Sequence, residues 1–115
     1  MNAQHAGLTP ERWGEFDFGR QILMIANELH RASKLSAESD RERRANSLER
    51  VYALLDLTIA TNRQVSRWRE LLRWREQLGR AYLETHPSSA FDRDLLRVLL
   101  RMSPAAAGQI PFVAA

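Results

Sequence analysis

The stretch from Ser36 to His86 contains no proline and a single glycine, Gly79. Proline breaks the interior of a helix and glycine weakens it, so a stretch without them favours long helices. Apolar residues recur through this stretch at spacings of three and four, which is the period of one helix face. The sequence has no alternating run of β-branched residues and no Asn-Gly turn. It therefore predicts an all-α fold.

Local capping signals divide the chain into four long predicted helices. The first covers about residues 18–35, and the second follows residues 39–42, where serine and glutamate three apart match the capping-box pattern. The third covers residues 62–82, since polar cap residues precede it. The fourth starts at Ser88 or Ser89 and ends before Ser103-Pro104. A single helix running through residue 62 is the alternative to the third boundary.

These signals divide the chain into three parts. We expect residues 1–8 to form a flexible N-terminus, residues 9–103 a small up-and-down bundle of four helices, and residues 104–115 an apolar tail. The bundle begins at Thr9-Pro10, because threonine caps a helix and proline suits its first position. The tail includes Ile110-Pro111-Phe112-Val113. This run is too apolar for a solvated segment, so we expect it to dock on its own domain or on a partner.

The second predicted helix carries apolar residues on two sides. Leu48, Val51 and Leu55 repeat along one side, whereas Leu54 and Leu57 lie on another. Burial of both sides requires either a place inside the bundle or contact with a second copy. We therefore include Leu54 and Leu57 among candidate interface residues and expect oligomerisation to complete or extend the bundle.

The inventory of chemically active residues is thin. The 115 residues fit one domain and include no cysteine, which excludes disulfides and cysteine-ligated metals. The three histidines are scattered, and no HExxH, ExxH or glycine-rich phosphate loop occurs. We expect no metal, no cofactor and no enzymatic activity; a catalytic site shared between subunits is the alternative.

The cellular setting follows from two absences in the sequence. No apolar run approaches the ~18 residues needed to cross a bilayer. The first seven residues lack the charged and apolar regions of a secretory signal. We expect a cytoplasmic protein that does not associate with membranes.

Positive charge is concentrated in one segment. The chain has a net charge of +3, and between residues 63 and 80 six arginines and two glutamates give a local balance of 6 − 2 = +4. Arginine binds phosphate and carboxylate groups in bidentate fashion. High genomic GC content, which favours arginine codons, is the alternative explanation for the arginine excess.

A helical projection of residues 62–82 separates three surfaces. The projection predicts an apolar stripe facing the core, a ridge of three arginines beside it, and Trp74 on the opposite side. The stripe consists of Val65, Trp68, Leu71, Leu72, Leu78, Gly79, Tyr82 and Leu83. The ridge consists of Arg69, Arg73 and Arg80.

Arginines beside an outward tryptophan predict a surface for RNA or DNA, because arginine binds phosphates and aromatic rings stack on unpaired bases. The candidate nucleic-acid-binding residues are Arg63, Arg67, Arg69, Arg73, Trp74 and Arg80. A second basic cluster, Arg41, Arg43 and Arg44, opens the second helix against its dipole, which an acidic partner would offset. The alternatives are a protein interface alone and a solvated face whose arginines pair with Glu70 and Glu76.

Arg75 falls within the predicted apolar stripe. A buried arginine needs a partner, because an unpaired buried charge costs several kcal/mol. Asp56 or Glu49 on the second helix would provide one. Otherwise Arg75 marks a subunit interface or a channel, or extends from the edge of the stripe to solvent. We place Arg75 with the interface residues.

Three segments resemble one four-helix-bundle family. Residues 16–22, Phe-Asp-Phe-Gly-Arg-Gln-Ile, resemble its opening aromatic-x-Leu-Gly-Gln-Arg-Ile motif. Residues 48–57 resemble its Leu-Glu-x-Leu-x-x-Leu-Leu helix, and residues 77–83 its closing helix around Ile-Gly-Arg. This family includes proteins encoded in ribosomal-RNA intervening sequences and the accessory variability protein of diversity-generating retroelements. The similarity spans residues 16–84.

The resemblance implies a bundle that assembles into a ring, often pentameric, with a basic surface for a reverse transcriptase and nucleic acid. It implies a non-catalytic accessory subunit of a reverse-transcriptase-like or other ribonucleoprotein complex, held by a larger protein partner. The alternative is a protein-interaction or structural oligomerisation module that does not bind nucleic acid.

Overall fold

The computed structural model describes residues 8–114, and every regular element within that range is a helix, which confirms the all-α prediction. The helices are α1 (Pro10–Trp13), α2 (Phe18–Ser33), α3 (Arg41–Thr61), α4 (Val65–Leu83), α5 (Ser89–Leu100), α6 (Pro104–Ala107) and α7 (Ile110–Val113), and a 3-10 turn, Glu38–Asp40, precedes α3. The flexible N-terminus predicted for residues 1–8 lies outside the described residues except for Leu8, which packs against the core.

Side-chain caps set three of the seven α-helix starts in the described residues. The hydroxyl of Thr9 accepts a hydrogen bond from the α1 backbone, Asp17 does the same for α2, and Ser88 for α5. The predicted capping box at Ser39 is wrong, because Ser39 lies within the 3-10 turn and α3 has no side-chain cap.

Helix α3 ends at Thr61, so the alternative of one helix running through residue 62 is wrong. Asn62 has an extended backbone, and its amide nitrogen donates to the carbonyl oxygen of Thr58 at 2.8 Å and to Oε1 of Gln21 at 3.0 Å. Asparagine competes in this way for the carbonyls of a helix end. The break turns the chain back so that α4 packs against α3.

The four long helices form a closed circuit of neighbours. Helix α2 packs against α3 and α5, and α4 packs against the same two helices. Helix α1 lies on α3, α6 contacts α2 and α5, and α7 contacts α5. The largest fully buried side chains are Trp13, Ile22, Ile25, Leu29, Leu48, Leu55, Leu71, Leu78, Leu96, Leu99 and Leu100.

The two apolar sides of α3 are both buried within this one chain. Leu54 is 3% exposed and belongs to the core, and Leu57 is half-buried against it. Helix α3 contacts α1, α2 and α4, and these neighbours cover more than one side of it. The assignment of Leu54 to an intermolecular interface is therefore wrong, because its side chain is already enclosed.

The C-terminal tail docks on its own domain, as one of the two expectations for it stated. Ala106 and Ala114 are fully buried, and Nε of Arg97 donates to the carbonyl oxygen of Ala114 at 2.7 Å. Gly19 permits this approach, since a Cβ on it would lie 2.9 Å from Oγ of Ser103. The tail thus closes the core between α2 and α5.

A buried hydrogen-bond chain fixes α1 to α2 and α3. Nε1 of Trp13 donates to the hydroxyl of Thr58 at 2.9 Å, and the Gln21 amide donates to the carbonyl oxygen of Trp13 at 3.0 Å. The same Gln21 accepts from Asn62. The polar atoms of this region are thereby satisfied, as burial requires.

Arg44 forms a buried ion pair with Asp92 on α5. Its two terminal nitrogens lie 2.7 and 3.0 Å from the carboxylate oxygens, and Nη1 also donates to the carbonyl oxygen of Ala32. The two side chains are 5% and 1% exposed. The prediction of Arg44 in a basic cluster for an external partner is wrong, because its acidic partner is within the chain.

Asp92→Asn should lower the free energy of unfolding by about 3–5 kcal/mol, because it leaves the Arg44 charge buried without a counter-ion. Urea unfolding followed by far-UV circular dichroism measures the change. The double variant Arg44→Met/Asp92→Leu is the control and should lose far less, since it removes both charges. A loss below about 1 kcal/mol for Asp92→Asn would contradict the pairing.

Candidate interaction surface on helix α4

Helix α4 presents Leu71, Trp74, Leu78 and Ala81 to the core, and each is at most 2% exposed. Nε1 of Trp74 donates a hydrogen bond to the carbonyl oxygen of Leu95 on α5 at 3.0 Å. The prediction that Trp74 lies on the outer side of the helix is wrong. Its ring is enclosed and is not available to stack on a nucleic-acid base.

Two apolar rows on α4 account for this error. The buried row follows spacings of three, four and three residues, and a second row beside it follows the same spacings. A stripe drawn through both rows is centred between them and therefore assigns Trp74 to the far side. The spacing from Leu71 through Trp74 to Leu78 is the sequence signal that places this tryptophan in an apolar row of its own.

The second row, called the outer row here, consists of Val65, Trp68, Leu72, Arg75, Gly79 and Tyr82. Its spacings of three, four, three, four and three residues are those of a heptad repeat. Val65 is 61% exposed, Leu72 47%, Tyr82 41% and Trp68 40%. The prediction that these four side chains face the core is wrong.

Exposed apolar surface is concentrated on α4. Leu83, next to the outer row, is 80% exposed. With the four exposed members of the row, it makes five of the seven exposed large hydrophobic side chains in residues 8–114. The other two, Val98 and Phe112, lie on α5 and α7.

Hydrogen bonds to α3 hold the outer row in place. Nε1 of Trp68 donates to the carbonyl oxygen of Ile59 at 2.7 Å, and the Tyr82 hydroxyl donates to the Glu49 carboxylate at 3.1 Å. The rings of Tyr82 and Tyr52 meet edge to face, with centroids 5.9 Å apart. Side chains fixed before binding lose less conformational freedom when a partner docks.

Arg75 pairs with Asp56, which confirms one of the two partners predicted for it. Nε of Arg75 lies 3.0 Å from Oδ1 of Asp56, and the guanidinium lies 4.9 Å from the Tyr52 ring centroid. The hydrogen bond to Asp56 is the main cause of the raised pKa of Arg75. The Arg75 side chain is 43% exposed, so this charge is both paired and hydrated.

The two tyrosines hold their protons more tightly than in water. The hydrogen bond to Glu49 raises the pKa of Tyr82 above its ordinary value of 10.0. Burial raises the pKa of Tyr52, against the opposing effect of the Arg75 charge. Both hydroxyls are therefore neutral at physiological pH.

The arginine ridge lies beyond the outer row, on the side away from the core. Arg69, Arg73 and Arg80 are all exposed and fall within about 40° of one another around the helix. Arg80 donates to Oε1 of Gln77 at 3.2 Å. Among the described residues, no carboxylate lies within ion-pair distance of these three guanidinium groups.

The remaining predicted nucleic-acid residues do not join the ridge. Arg67 folds back onto the domain, with its guanidinium 4.0 Å from the Phe18 ring centroid and Nη1 3.3 Å from Oδ1 of Asn62. Arg63 is exposed, but it lies in the connection before α4. The structure therefore brings together three of the five arginines predicted for this site.

The second basic cluster is also divided. Arg43 pairs with Asp40, Arg44 is buried with Asp92, and Arg41 is exposed. Arg41 lines a cleft of about 490 Å³ between the start of α3 and the α4–α5 connection. Glu38, Glu84 and His86 line the same cleft, so its charges are of both signs.

The described residues contain no group of three or more His, Asp or Glu side chains placed to hold a metal ion. None of the helices in that range has the length and apolar character required to cross a membrane.

Comparison of the chain with protein-family models, with curated proteins and with solved structures finds no match in any of the three. The resemblance of residues 16–84 to a four-helix-bundle family therefore stays a prediction.

The neighbouring leucines Leu71 and Leu72 give a direct measure of the rotation of α4. Leu71→Ala should lower the free energy of unfolding by about 2–5 kcal/mol, because it opens a cavity in the core. Leu72→Ala is the matched control and should change it by about 0.5 kcal/mol or less. Urea unfolding curves measure both values, and equal losses for the two variants would contradict the rotation described.

Proposed function

We propose that this chain is a non-catalytic protein-interaction subunit that binds another protein helix through the outer row of α4. The observation that carries the proposal is the concentration of five of the seven exposed large hydrophobic side chains, within the described residues, on this one helix. Contiguous apolar surface is uncommon on monomeric proteins and marks interaction sites. The heptad spacing favours a helix as the partner element.

The chemical composition of the surface supports this role. Aromatic residues and arginine are enriched in protein interfaces, whereas lysine is depleted. Helix α4 carries Trp68, Tyr82 and the arginine ridge and has no lysine. Trp68 and Tyr82 are also the two aromatic members of the row, and hydrogen bonds hold both of them to α3. These two are the best placed to act as anchors in a complex.

The proposed scaffold is an up-and-down four-helix bundle that works in the cytoplasm. The circuit of neighbours from α2 through α3 and α4 to α5 supports this topology, as do the short connections between consecutive long helices. In such a scaffold α4 is supported by α3 and α5, and its outer row stays exposed for a partner.

Site-specific photo-crosslinking tests the proposal. p-Benzoylphenylalanine is placed at position 72 in the full chain expressed in cells, and position 98 on α5, which is 51% exposed, is the control. We expect a discrete protein adduct from position 72 and none from position 98. Failure to form a protein adduct at position 72, or equal adducts at both positions, would contradict the proposal.

RNA or DNA binding through the arginine ridge is the second candidate. It is supported by the three exposed guanidinium groups of Arg69, Arg73 and Arg80, which share one side of α4 and have no carboxylate of the described residues within ion-pair distance. Phosphates are the counter-ions that such a row would bind. The chain would then act as an accessory subunit of a reverse-transcriptase-like or other ribonucleoprotein complex. The burial of Trp74 removes the predicted stacking platform, so phosphate contacts would dominate.

A salt titration of single-stranded RNA and DNA binding tests the second candidate. Neutralising three phosphates should lower the logarithm of the affinity by about two for each tenfold increase in salt. Arg69→Ala/Arg73→Ala/Arg80→Ala should abolish this dependence. The variant Arg20→Ala/Arg93→Ala/Arg101→Ala, which loses the same charge elsewhere, should retain it. If the two triple variants bind equally, the ridge is not the site.

A further inference from the structure

We propose that the partner helix is α4 of a second copy of this chain, packed antiparallel about a two-fold axis. This inference rests on the proposed protein-binding role of the outer row and specifies its partner. In a two-fold interface the same surface of each copy packs against that surface of the other, so each contact between two different residues occurs twice. The outer row therefore has to be complementary to the same row running in the opposite direction on the second copy.

The sizes of the side chains in the row meet that requirement. With the axis passing between residues 73 and 74, Trp68 lies opposite Gly79 of the second copy, and Leu72 lies opposite Arg75. The largest side chain of the row thus faces the one residue without a side chain. Gly79 is half-buried, and the Tyr52 hydroxyl lies 3.4 Å from the position that a Cβ on Gly79 would occupy. The Trp68 indole of the second copy would therefore pack against Gly79 and the Tyr52 side chain beside it.

The same axis pairs the most exposed apolar groups. Val65, 61% exposed, lies opposite Tyr82 of the second copy and close to its Leu83, which is 80% exposed. These contacts occur at both ends of the helix pair. Residues 65 and 82 are 17 positions apart, so the row extends over about 26 Å.

Charges beside the row are complementary under the same operation. Arg69 and Glu76 occupy equivalent heptad positions, one after Trp68 and one after Arg75. In an antiparallel helix pair such positions face each other. Arg69 of each copy therefore meets Glu76 of the other, and the two-fold axis produces two ion pairs. Both side chains are exposed, and neither lies within ion-pair distance of another charge in the described residues.

A parallel pairing of the same row is unfavourable. In a parallel pair each row position meets itself, so Arg75 would face Arg75 and Gly79 would face Gly79. The first contact places like charges together, and the second leaves a cavity. The antiparallel arrangement instead puts Arg75 against Leu72, where the guanidinium keeps its own Asp56. A single polar residue in a heptad seam is known to select orientation in this way.

Charge reversal on both sides of the proposed ion pairs provides the test. Sedimentation velocity should give a dimer of the 13.3 kDa wild-type chain. Arg69→Glu and Glu76→Arg should each weaken homodimerisation by at least about tenfold, because each converts two attractions into two repulsions. The double variant Arg69→Glu/Glu76→Arg should recover it. Arg93→Glu, an exposed arginine on α5, is the control for net charge and should dimerise as the wild type does.

Mixing the two single variants gives the sharpest result. A heterodimer of the Arg69→Glu chain with the Glu76→Arg chain restores both attractions, whereas each homodimer has two repulsions. We therefore expect the mixture to dimerise and each component to remain monomeric at the same concentration. No rescue on mixing, or dimers that are indifferent to both substitutions, would overturn the antiparallel assignment.

Different results would contradict the self-pairing and the broader protein-binding role. A wild-type chain that is monomeric up to high concentration overturns the self-pairing. A position-72 adduct to a different protein would then retain the proposed function and change its partner. If position 72 forms no protein adduct, the proposed function fails as well.

Discussion

The indole of Trp74 lies between α4 and α5, with its nitrogen bonded to the carbonyl oxygen of Leu95, and this contact sets the rotation of α4 about its own axis. Helix α4 has two apolar rows and packs mainly against α3 and α5, so it buries one row in the core. Once the row with Trp74 is buried in the core, the row with Trp68 and Leu72 faces outward, which explains the exposure of its side chains. The candidate surface is thus a geometric consequence of how the core is filled.

Two sets of polar contacts keep the neighbouring helices in the positions that this packing needs. In one set, Arg44 and Asp92 link α3 to α5, while the Ala32 carbonyl adds the end of α2. In the other, Trp13, Thr58 and Gln21 link α1, α2 and α3. Removal of one partner from such a buried set leaves an unsatisfied group, so these contacts favour one arrangement of helices over looser alternatives.

The sequence was informative about helices and much less so about their rotation. Local signals such as the Ser88 cap and the Ser103-Pro104 stop depend on nearby residues, so the four long helices could be predicted closely. Which side of α4 is buried depends on its contacts with α5, and the spacing of the apolar residues does not distinguish the two rows, because it is the same in both. The same reason explains Arg44, whose partner is 48 positions away in the chain. The partner of Arg75 was easier to predict, because both candidate carboxylates, Asp56 and Glu49, lie on the preceding helix.

Arg75 also explains why α4 does not bury its outer row in the core. The two rows share one spacing, and without a charge they would compete as alternative insides of the same helix. Burying the outer row would take the Arg75 guanidinium out of water, which is costly, whereas the row with Trp74 carries no charge. Arg75 therefore determines which of the two rows is buried in the core. Because of this one arginine, the outer row of α4 faces solvent or a partner.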